Sequence, residues 1–273
     1  MATARTIVGL LVLAFLATFS ALSVSKLLSR ASAEEPIASA SLAPPERREA
    51  ERTPLFSREL EHFKILYEGG TQPGVGDRVA HVLESGYRTI GKTLNTYPTE
   101  TITVVLYSSR EFQDVTRSPS WATGRYDGRI RIAIGGALEP PRDLERIVMH
   151  ELVHAVIATA APRGVPAWLN EGLATYLEST DRSWVPEVLR NAASVVPLER
   201  LVNGFSRLDE QEALVAYAES ATAAEILCAQ LGANIGAFLQ MVGNGSSVDE
   251  ALLEHHVQPN AFHSEWRRRV GLR

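Results

Sequence analysis

The sequence His-Glu-Leu-Val-His at positions 150–154 constrains the fold of this chain more than any other stretch. On a helix, His150 and His154 lie one turn apart on the same face and can offer two imidazole nitrogens to one ion. Glu151 lies about 100° further round the helix, where it can reach a water molecule without binding the ion. The surrounding residues are mostly apolar: Val148, Met149, Leu152, Val153, Val156 and Ile157. Such a helix is expected to be buried, and buried histidines and carboxylates need partners that a metal ion would supply.

A third protein ligand is required, because a catalytic zinc ion has three protein ligands and leaves its fourth position to water. The metzincin pattern would need a glycine where this sequence has Ile157 and a histidine where it has Ala160. The alternative is a glutamate on the next predicted helix, which begins at Pro166 after a proline-glycine break. Glu171 lies on the second turn of that helix, and Gly172 beside it would let the two backbones come close.

The composition is that of an ordinary globular protein and excludes some classes of function. The 273 residues suffice for one large domain or two small ones. The net charge is -5 and no long basic run occurs, so we predict no nucleic-acid partner, because a phosphate backbone requires a concentrated Lys/Arg face. Cys228 is the only cysteine, which excludes an intrachain disulfide and leaves His, Asp and Glu as the available metal ligands.

The N-terminus has the features of a targeting segment. Residues 7–22 contain no charged residue, and basic residues flank them on both sides. This organisation is shared by secretory signals and N-terminal membrane anchors. We predict an uncleaved anchor within residues 1–30 that leaves the rest of the chain outside the cytoplasm; a cleaved signal would give a secreted protein. Residues 31–54 are rich in Ala, Ser, Pro, Glu and Arg and should form a flexible linker, so that 55–273 is the folded domain.

The order of the predicted elements favours an α+β fold, because strands precede helices along the domain. We expect a small mixed sheet with helices first, then the helix that carries HELVH, then a mainly helical C-terminal part. The last predicted strand, 129–134, alternates and is the best candidate for the edge of the sheet, where an extended peptide could add. The predicted strands are 62–68, 102–107 and 129–134, and the predicted helices are 75–95, 108–115, 142–160, 166–178, 212–231, 235–242, 248–254 and 260–270.

The combination of HELVH with Pro-Ala-Trp-Leu-Asn-Glu-Gly-Leu-Ala-Thr-Tyr-Leu-Glu at 166–178 resembles the gluzincin zinc metallopeptidases, and especially the peptidase MA-like domains. Looser similarity to those domains extends over residues 55–273. The resemblance implies a zincin-like fold and one bound Zn²⁺ ion, held by His150, His154 and Glu171, with Glu151 as the general base.

The resemblance also indicates which groups orient the metal ligands. Asn170 and Glu178 are expected to hold the ligands in position through hydrogen bonds. Thermolysin-like enzymes place an acid four residues after the third ligand, whereas this sequence has Thr175 there. The partner that orients His150 is therefore open at this point.

Together these features predict a zinc metallopeptidase, by default an endopeptidase, that cuts a peptide or protein substrate at the cell envelope. From the resemblance, Tyr217 is expected to donate a hydrogen bond to the developing oxyanion, with Tyr176 as a weaker candidate. Two other functions fit the same residues: a zincin-fold binding or scaffold module that cleaves nothing, and a non-proteolytic metal hydrolase. The intact Glu151 argues against the first of these, and the sequence does not decide against the second.

Overall fold

A five-stranded mixed sheet forms the N-terminal part of the described chain. The computed structural model describes residues 55–68, 74–118, 122–134, 141–205 and 208–272. The strands are β1 (Leu55–Glu59), β2 (Phe63–Glu68), β3 (Ile102–Tyr107), β4 (Gly124–Tyr126) and β5 (Ile130–Ala133). Their order is β1-β2-β3-β5-β4, with β2, β3 and β5 parallel and the two outer strands antiparallel to their neighbours. The predicted anchor and linker at 1–54 lie outside the described residues and stay predictions.

The central strand and the first helix follow directly from their residue patterns. β3 reads Ile-Thr-Val-Val-Leu-Tyr, and Val104, Val105 and Leu106 are fully buried, as expected for a strand between two parallel neighbours. α1 (Val75–Leu94) connects β2 to β3, and its buried side chains recur at helical spacing. α2 (Ser109–Thr116) follows β3, and the Ser108 side chain accepts a hydrogen bond from the Glu111 N–H at its start.

The prediction that 129–134 forms the edge of the sheet is wrong. Strand β5, which lies within this range, pairs on both sides, and β4 forms the edge instead. Ile130 of β5 is in register with Val104 of β3 and with Tyr126 of β4. The alternation of arginine and apolar residues predicts one exposed face, but Arg131 is itself buried. Its guanidinium Nε donates to Asp127 Oδ1 at 2.9 Å, and its Nη1 donates to the Tyr107 hydroxyl at 2.6 Å. A paired arginine can occupy an interior strand in this way.

The rest of the described chain is helical, which confirms the predicted α+β class. The helices are α3 (Pro141–Ala160), α4 (Ala167–Leu177), α5 (Trp184–Asn191), α6 (Glu210–Leu231), α7 (Ile235–Gly243), α8 (Val248–Glu254) and α9 (Pro259–Val270). Capping boxes at Asp209 and Ser247 begin α6 and α8. Neither α5 nor β1 was expected from the sequence. α5 is short, and of its residues only Val185 is buried.

α3 lies between the sheet and the helical part. It packs against α1 on one side and against α4 on another, and β4 and β5 also contact it. Gly86 of α1 allows the close approach, since a Cβ there would lie 2.6 Å from Met149 Sδ and 2.8 Å from Leu152 Cδ2. Leu152 and Val153 are fully buried, so the HELVH stretch lies in the interior as its apolar neighbours predict.

α6 is the central helix of the C-terminal part and packs against α4, α5 and α9. Among the described residues, one helical stretch, Glu210–Gly243, is long and apolar enough to cross a membrane by length and composition. Half of its most apolar window is buried inside the protein, as in a core helix, and it is C-terminal rather than N-terminal. This stretch is therefore distinct from the predicted anchor.

Glu219 of α6 is fully buried, and no cation among the described residues pairs with it. Its Oε1 accepts a hydrogen bond from the Val196 N–H at 2.8 Å, whereas its Oε2 has no hydrogen-bond partner among those residues. Burial raises the pKa of Glu219 from 4.5 to about 7, and the Val196 N–H offsets only part of that increase. The folded protein therefore binds a proton at Glu219 more tightly than the unfolded chain does.

This raised pKa predicts a pH dependence of stability. The contribution of Glu219 is fully present below pH 4.5 and is lost as the pH rises through about 7. Glu219→Gln resembles the protonated acid. We therefore expect the difference in free energy of unfolding, variant minus parent, to be roughly 3 kcal/mol larger at pH 8 than at acid pH. Urea unfolding at several pH values measures this, with the exposed Glu225→Gln on the same helix as control. Parallel pH profiles for Glu219→Gln and the parent would contradict it.

Candidate metal centre

Two histidines of α3 and a glutamate of α4 converge in the described structure. His150 Nε2 lies 3.4 Å and His154 Nε2 lies 3.6 Å from Glu171 Oε2. The two imidazole rings are 4.8 Å apart between centroids and nearly perpendicular, at 83°. One ligand atom from each of the three side chains lies within 4.8 Å of the other two, so together they could hold one metal ion. The structure thus brings the three predicted ligands together.

The position of Glu171 depends on two glycines. Gly164, in the turn after α3, has φ +87°, a left-handed conformation that suits glycine and lets α4 return across α3. Gly172 lies against the main chain of α6, where a Cβ would be 2.7 Å from the carbonyl carbon of Ser220. α4 is therefore held closely between α3 and α6, with Glu171 on the side of the histidines.

Glu178 resolves which residue orients His150. The His150 Nδ1–H donates to Glu178 Oε2 at 2.7 Å, and Arg146 Nη1 lies 3.5 Å from Glu178 Oε1. This hydrogen bond holds the His150 ring so that its Nε2 faces Glu171. Glu178 comes seven residues after Glu171, two helical turns along the same face. Thr175 is buried, and its hydroxyl has no hydrogen-bond partner in the described structure. The spacing of seven was visible in the sequence, but an exposed helix-end carboxylate was an equally good interpretation.

The histidines and carboxylates of this group shift one another's pKa values. Burial lowers the pKa of His150, but hydrogen bonds to Glu171 and Glu178 outweigh it and hold that pKa well above its usual value. Burial also lowers the pKa of His154, and Glu171 and hydrogen bonding by Asn170 oppose this only in part. Burial raises the pKa of Glu151 to about 8, since neighbouring Glu171 and Glu178 add to it and His150 offsets it only partly. Burial also raises the pKa of Glu171, but His154 and His150 outweigh burial and lower that pKa, so the histidines stabilise the Glu171 carboxylate.

A divalent metal ion fits these residues. Two neutral imidazole nitrogens and one carboxylate oxygen are a donor set typical of catalytic zinc, and thiolate ligands are absent from the group. Buried carboxylates gain most from a nearby cation. Glu151 is 5 % exposed, and within the described part of the chain its Oε2 has no hydrogen-bond partner, which leaves an acceptor atom beside the group.

The edge strand β4 passes directly over Glu151. A Cβ at Gly124 would overlap Glu151 Oε1 and would lie 2.9 Å from both Cγ and Cδ of that side chain. Only glycine therefore allows the β4 main chain to come this close to the Glu151 carboxylate. This strand has no recognisable period, because β4 has only three residues and lies in a stretch whose residues are typical of turns.

Tyr217 of α6 lies beside the same group, whereas Tyr176 does not. The Tyr217 ring is 6.3 Å from the His150 ring, edge to face. Burial raises the pKa of Tyr217 well above its usual value, and Glu171, Glu151 and Glu178 add to the increase, in that order. The Tyr176 ring instead lies under the Arg182 guanidinium at 4.4 Å.

A second group of possible ligands, Glu61, His62 and Glu84, lies near the start of the domain. His62 Nδ1 is 3.1 Å from Glu84 Oε2, and its ring stacks on Tyr87 at 3.8 Å. Glu61 is 81 % exposed at its side chain, as isolated surface acids commonly are. These contacts give His62 a structural role.

The mixed sheet, the helix with two histidines and the glutamate on the returning helix together define a metallopeptidase-like protein. A family model described as the peptidase MA superfamily matches residues 88–270, about two thirds of the chain. The chain belongs to the peptidase MA superfamily, and the resemblance to peptidase MA-like domains is confirmed. The match includes every residue of the candidate centre, and members of this superfamily are typically metal-dependent hydrolases of the protease type. A search of curated proteins found no match to this chain.

Proposed function

We propose that this protein is a zinc-dependent peptidase in which His150, His154 and Glu171 hold one zinc ion and Glu151 is the general base. The observation that carries the proposal is the convergence of three ligand atoms within 4.8 Å of one another, next to a buried carboxylate with a free acceptor oxygen. Bound zinc would supply the Lewis acidity that activates a water molecule and polarises the scissile carbonyl.

The remaining chemistry belongs to side chains of the chain itself. Glu151 accepts the proton of the attacking water and returns it to the leaving amine. The Tyr217 hydroxyl, whose pKa is raised first by burial and then by Glu171, Glu151 and Glu178, stays protonated and donates a hydrogen bond to the oxyanion as it develops. Glu178 holds His150 in the tautomer that presents Nε2 to the metal, in the role that the sequence left open.

We propose that the peptide substrate binds along β4 rather than along the strand 129–134 that the sequence predicts. β4 is the last strand of the described sheet on this side, and its main chain lies against Glu151. An extended peptide that adds to this edge through main-chain hydrogen bonds would bring its scissile bond close to the base. We expect the enzyme to cut a bond within the peptide chain, as an endopeptidase does. The uncharged segment 7–22 supports an N-terminal anchor, which would leave the enzyme outside the cytoplasm.

Purified full-length protein tests this proposal. We expect about one zinc ion per chain and cleavage of internal bonds in a peptide library, read by mass spectrometry. A chelator should abolish the cleavage and added zinc should restore it. Bound zinc without cleavage of any peptide or protein would favour the zincin-fold binding module. Hydrolysis of non-peptide substrates alone would favour the non-proteolytic metal hydrolase. Protein without bound metal would overturn the proposed metal centre.

The Glu178–His150 hydrogen bond gives a prediction about metal affinity. Glu178→Gln keeps the volume but removes the negative charge that fixes the His150 tautomer. We expect the dissociation constant for zinc to rise by about 10- to 100-fold. Competition with a coloured chelator measures it, with the exposed Glu254→Gln as control. An unchanged zinc affinity in Glu178→Gln would show that Glu178 does not orient the ligand.

A further inference from the structure

The candidate oxyanion donor Tyr217 is held by ring contacts. Its ring meets the His150 ring at 6.3 Å and 67°, and on another side it meets the Phe205 ring at 5.1 Å and 85°. Among the described residues, no hydrogen bond fixes the Tyr217 hydroxyl. Edge-to-face aromatic contacts of this kind have a preferred geometry, so the neighbouring rings decide where the hydroxyl points.

Phe205 is not part of a helix or strand, yet it is only 4 % exposed. It ends a segment, residues 196–205, that runs from the end of α5 towards α6. Gly204 has φ +90°, a left-handed conformation that turns the chain immediately before Phe205. The Phe205 carbonyl accepts a hydrogen bond from the Leu208 N–H at 3.0 Å.

The segment 196–205 is fastened to α4, the helix of Glu171. The N–H groups of Ala167 and Trp168 donate to the carbonyls of Val202 and Leu201 at 3.1 and 2.9 Å. These N–H groups belong to the first turn of α4, where a helix has no internal acceptors for them. Leu201 is also buried, at 3 % exposed, so the segment is anchored by packing as well as by hydrogen bonds.

The same segment is fastened to α6, the helix of Tyr217, by Glu219. The Val196 N–H donates to Glu219 Oε1 at 2.8 Å, and Glu219 is fully buried. Glu219 is two residues from Tyr217, which places its side chain on roughly the opposite side of the helix from the ring. Glu219 therefore has no direct route to the candidate metal centre, and any influence on Tyr217 passes through the segment that it fastens.

We propose that residues 196–205 form a positioning strap that sets the orientation of the Tyr217 ring through Phe205, and that Glu219 is the positioning residue that fastens the strap. The proposal rests on the proposed function for the role it gives to Tyr217. Neither Phe205 nor Glu219 touches the substrate; both act through Tyr217. The strap joins the helix of the third metal ligand to the helix of the oxyanion donor, so one connection sets the two groups relative to each other.

Kinetics of single and double variants provide the first test. We expect Phe205→Ala to lower kcat by about 10- to 100-fold with little change in KM or zinc content, because a misplaced donor affects the transition state most. In a Tyr217→Phe background the same change should have almost no further effect on kcat, since the donor is already absent. Equal losses in both backgrounds would overturn the proposal and leave Phe205 with a purely structural role.

Paired variants at Glu219 separate the fastening from the charge. Glu219→Gln keeps an oxygen that accepts from the Val196 N–H, so it should retain kcat near that of the parent. Glu219→Ala removes the acceptor and should show the same loss of kcat as Phe205→Ala. Equal activity of the Gln and Ala variants would contradict the fastening role.

A readout independent of activity keeps failure of the strap distinct from failure of the proposed function. The readout is fluorine NMR of protein that carries 3-fluorotyrosine in place of tyrosine, with the resonance of position 217 assigned through Tyr217→Phe. We expect this signal to move towards the chemical shift of the free amino acid in Phe205→Ala and Glu219→Ala. It should stay in place in Glu219→Gln. A signal unchanged in both Ala variants would overturn the strap even if the enzyme is an active peptidase. A shifted signal in a protein that cleaves no peptide would support the strap and contradict the proposed function.

Discussion

Replacing Glu151 by glutamine is expected to lower peptide hydrolysis by about 10³-fold while the zinc content stays at that of the parent. Glutamine fills the same space but cannot accept the proton of the attacking water, and general-base catalysis contributes about 10²- to 10⁴-fold to such reactions. Glu151 is not one of the three converging ligands, so its loss should leave the metal in place. The effect is therefore expected in kcat, with the metal and the fold unchanged.

The measurement is kcat/KM on a peptide identified by the library screen, together with metal analysis of the same preparation. Glu145→Gln is the matched control, because Glu145 lies on the same helix α3 but is exposed. The control should retain the activity of the parent. A Glu151→Gln variant that cleaves peptides at the parental rate would exclude Glu151 as the base.

Gly124→Ala is expected to lower kcat/KM by about 10²-fold without releasing the metal. The new methyl group would overlap the Glu151 carboxylate, and β4 cannot easily yield, because Gly124 is in register with Ile132 and Tyr126 with Ile130 of β5. The carboxylate must move instead, and displacements of about 1 Å can cost that much in rate. Overpacking of this kind also destabilises a fold by about 1–3 kcal/mol, so some loss of thermal stability is expected as well.

Gly76→Ala is the matched control, since a Cβ at Gly76 would meet only Tyr67 Cε1, at an ordinary 4.0 Å. It should retain the activity and the zinc content of the parent. Zinc loss in Gly124→Ala would mean that the change has disturbed the ligands rather than the base. Full activity in Gly124→Ala would show that β4 does not lie against Glu151 in the working enzyme.

The parts of the fold that the sequence predicted are those with a strong local pattern. The period of the apolar residues placed α1, α3 and α6 within two residues of their bounds, and the proline before α4 marked its start. The spacing of His150 and His154, with Glu171 on the returning helix, predicted that the three candidate ligands lie together. The family match agrees with that interpretation, while the chemical roles of these residues stay proposals.

The features that the sequence did not predict depend on contacts between distant residues. The alternation in 129–134 suggested an edge strand, but Tyr107 and Asp127 satisfy the Arg131 guanidinium inside the sheet. β4 is too short for a period, and its closeness to Glu151 is visible only in three dimensions. The carboxylate that orients His150 lies two turns beyond Glu171 rather than one. Local patterns carry no information about such pairings, because the partners are fixed by packing.

The central claim is that His150, His154 and Glu171 hold one zinc ion. X-ray absorption at the zinc edge, combined with metal analysis of full-length protein, tests it most directly. We predict about one zinc per chain, bound by two imidazole nitrogens and a carboxylate oxygen, and loss of the zinc in both His154→Ala and Glu171→Ala. Zinc retained in Glu171→Ala with an unchanged spectrum, or protein purified from zinc-supplemented cultures that contains no metal, would contradict the account.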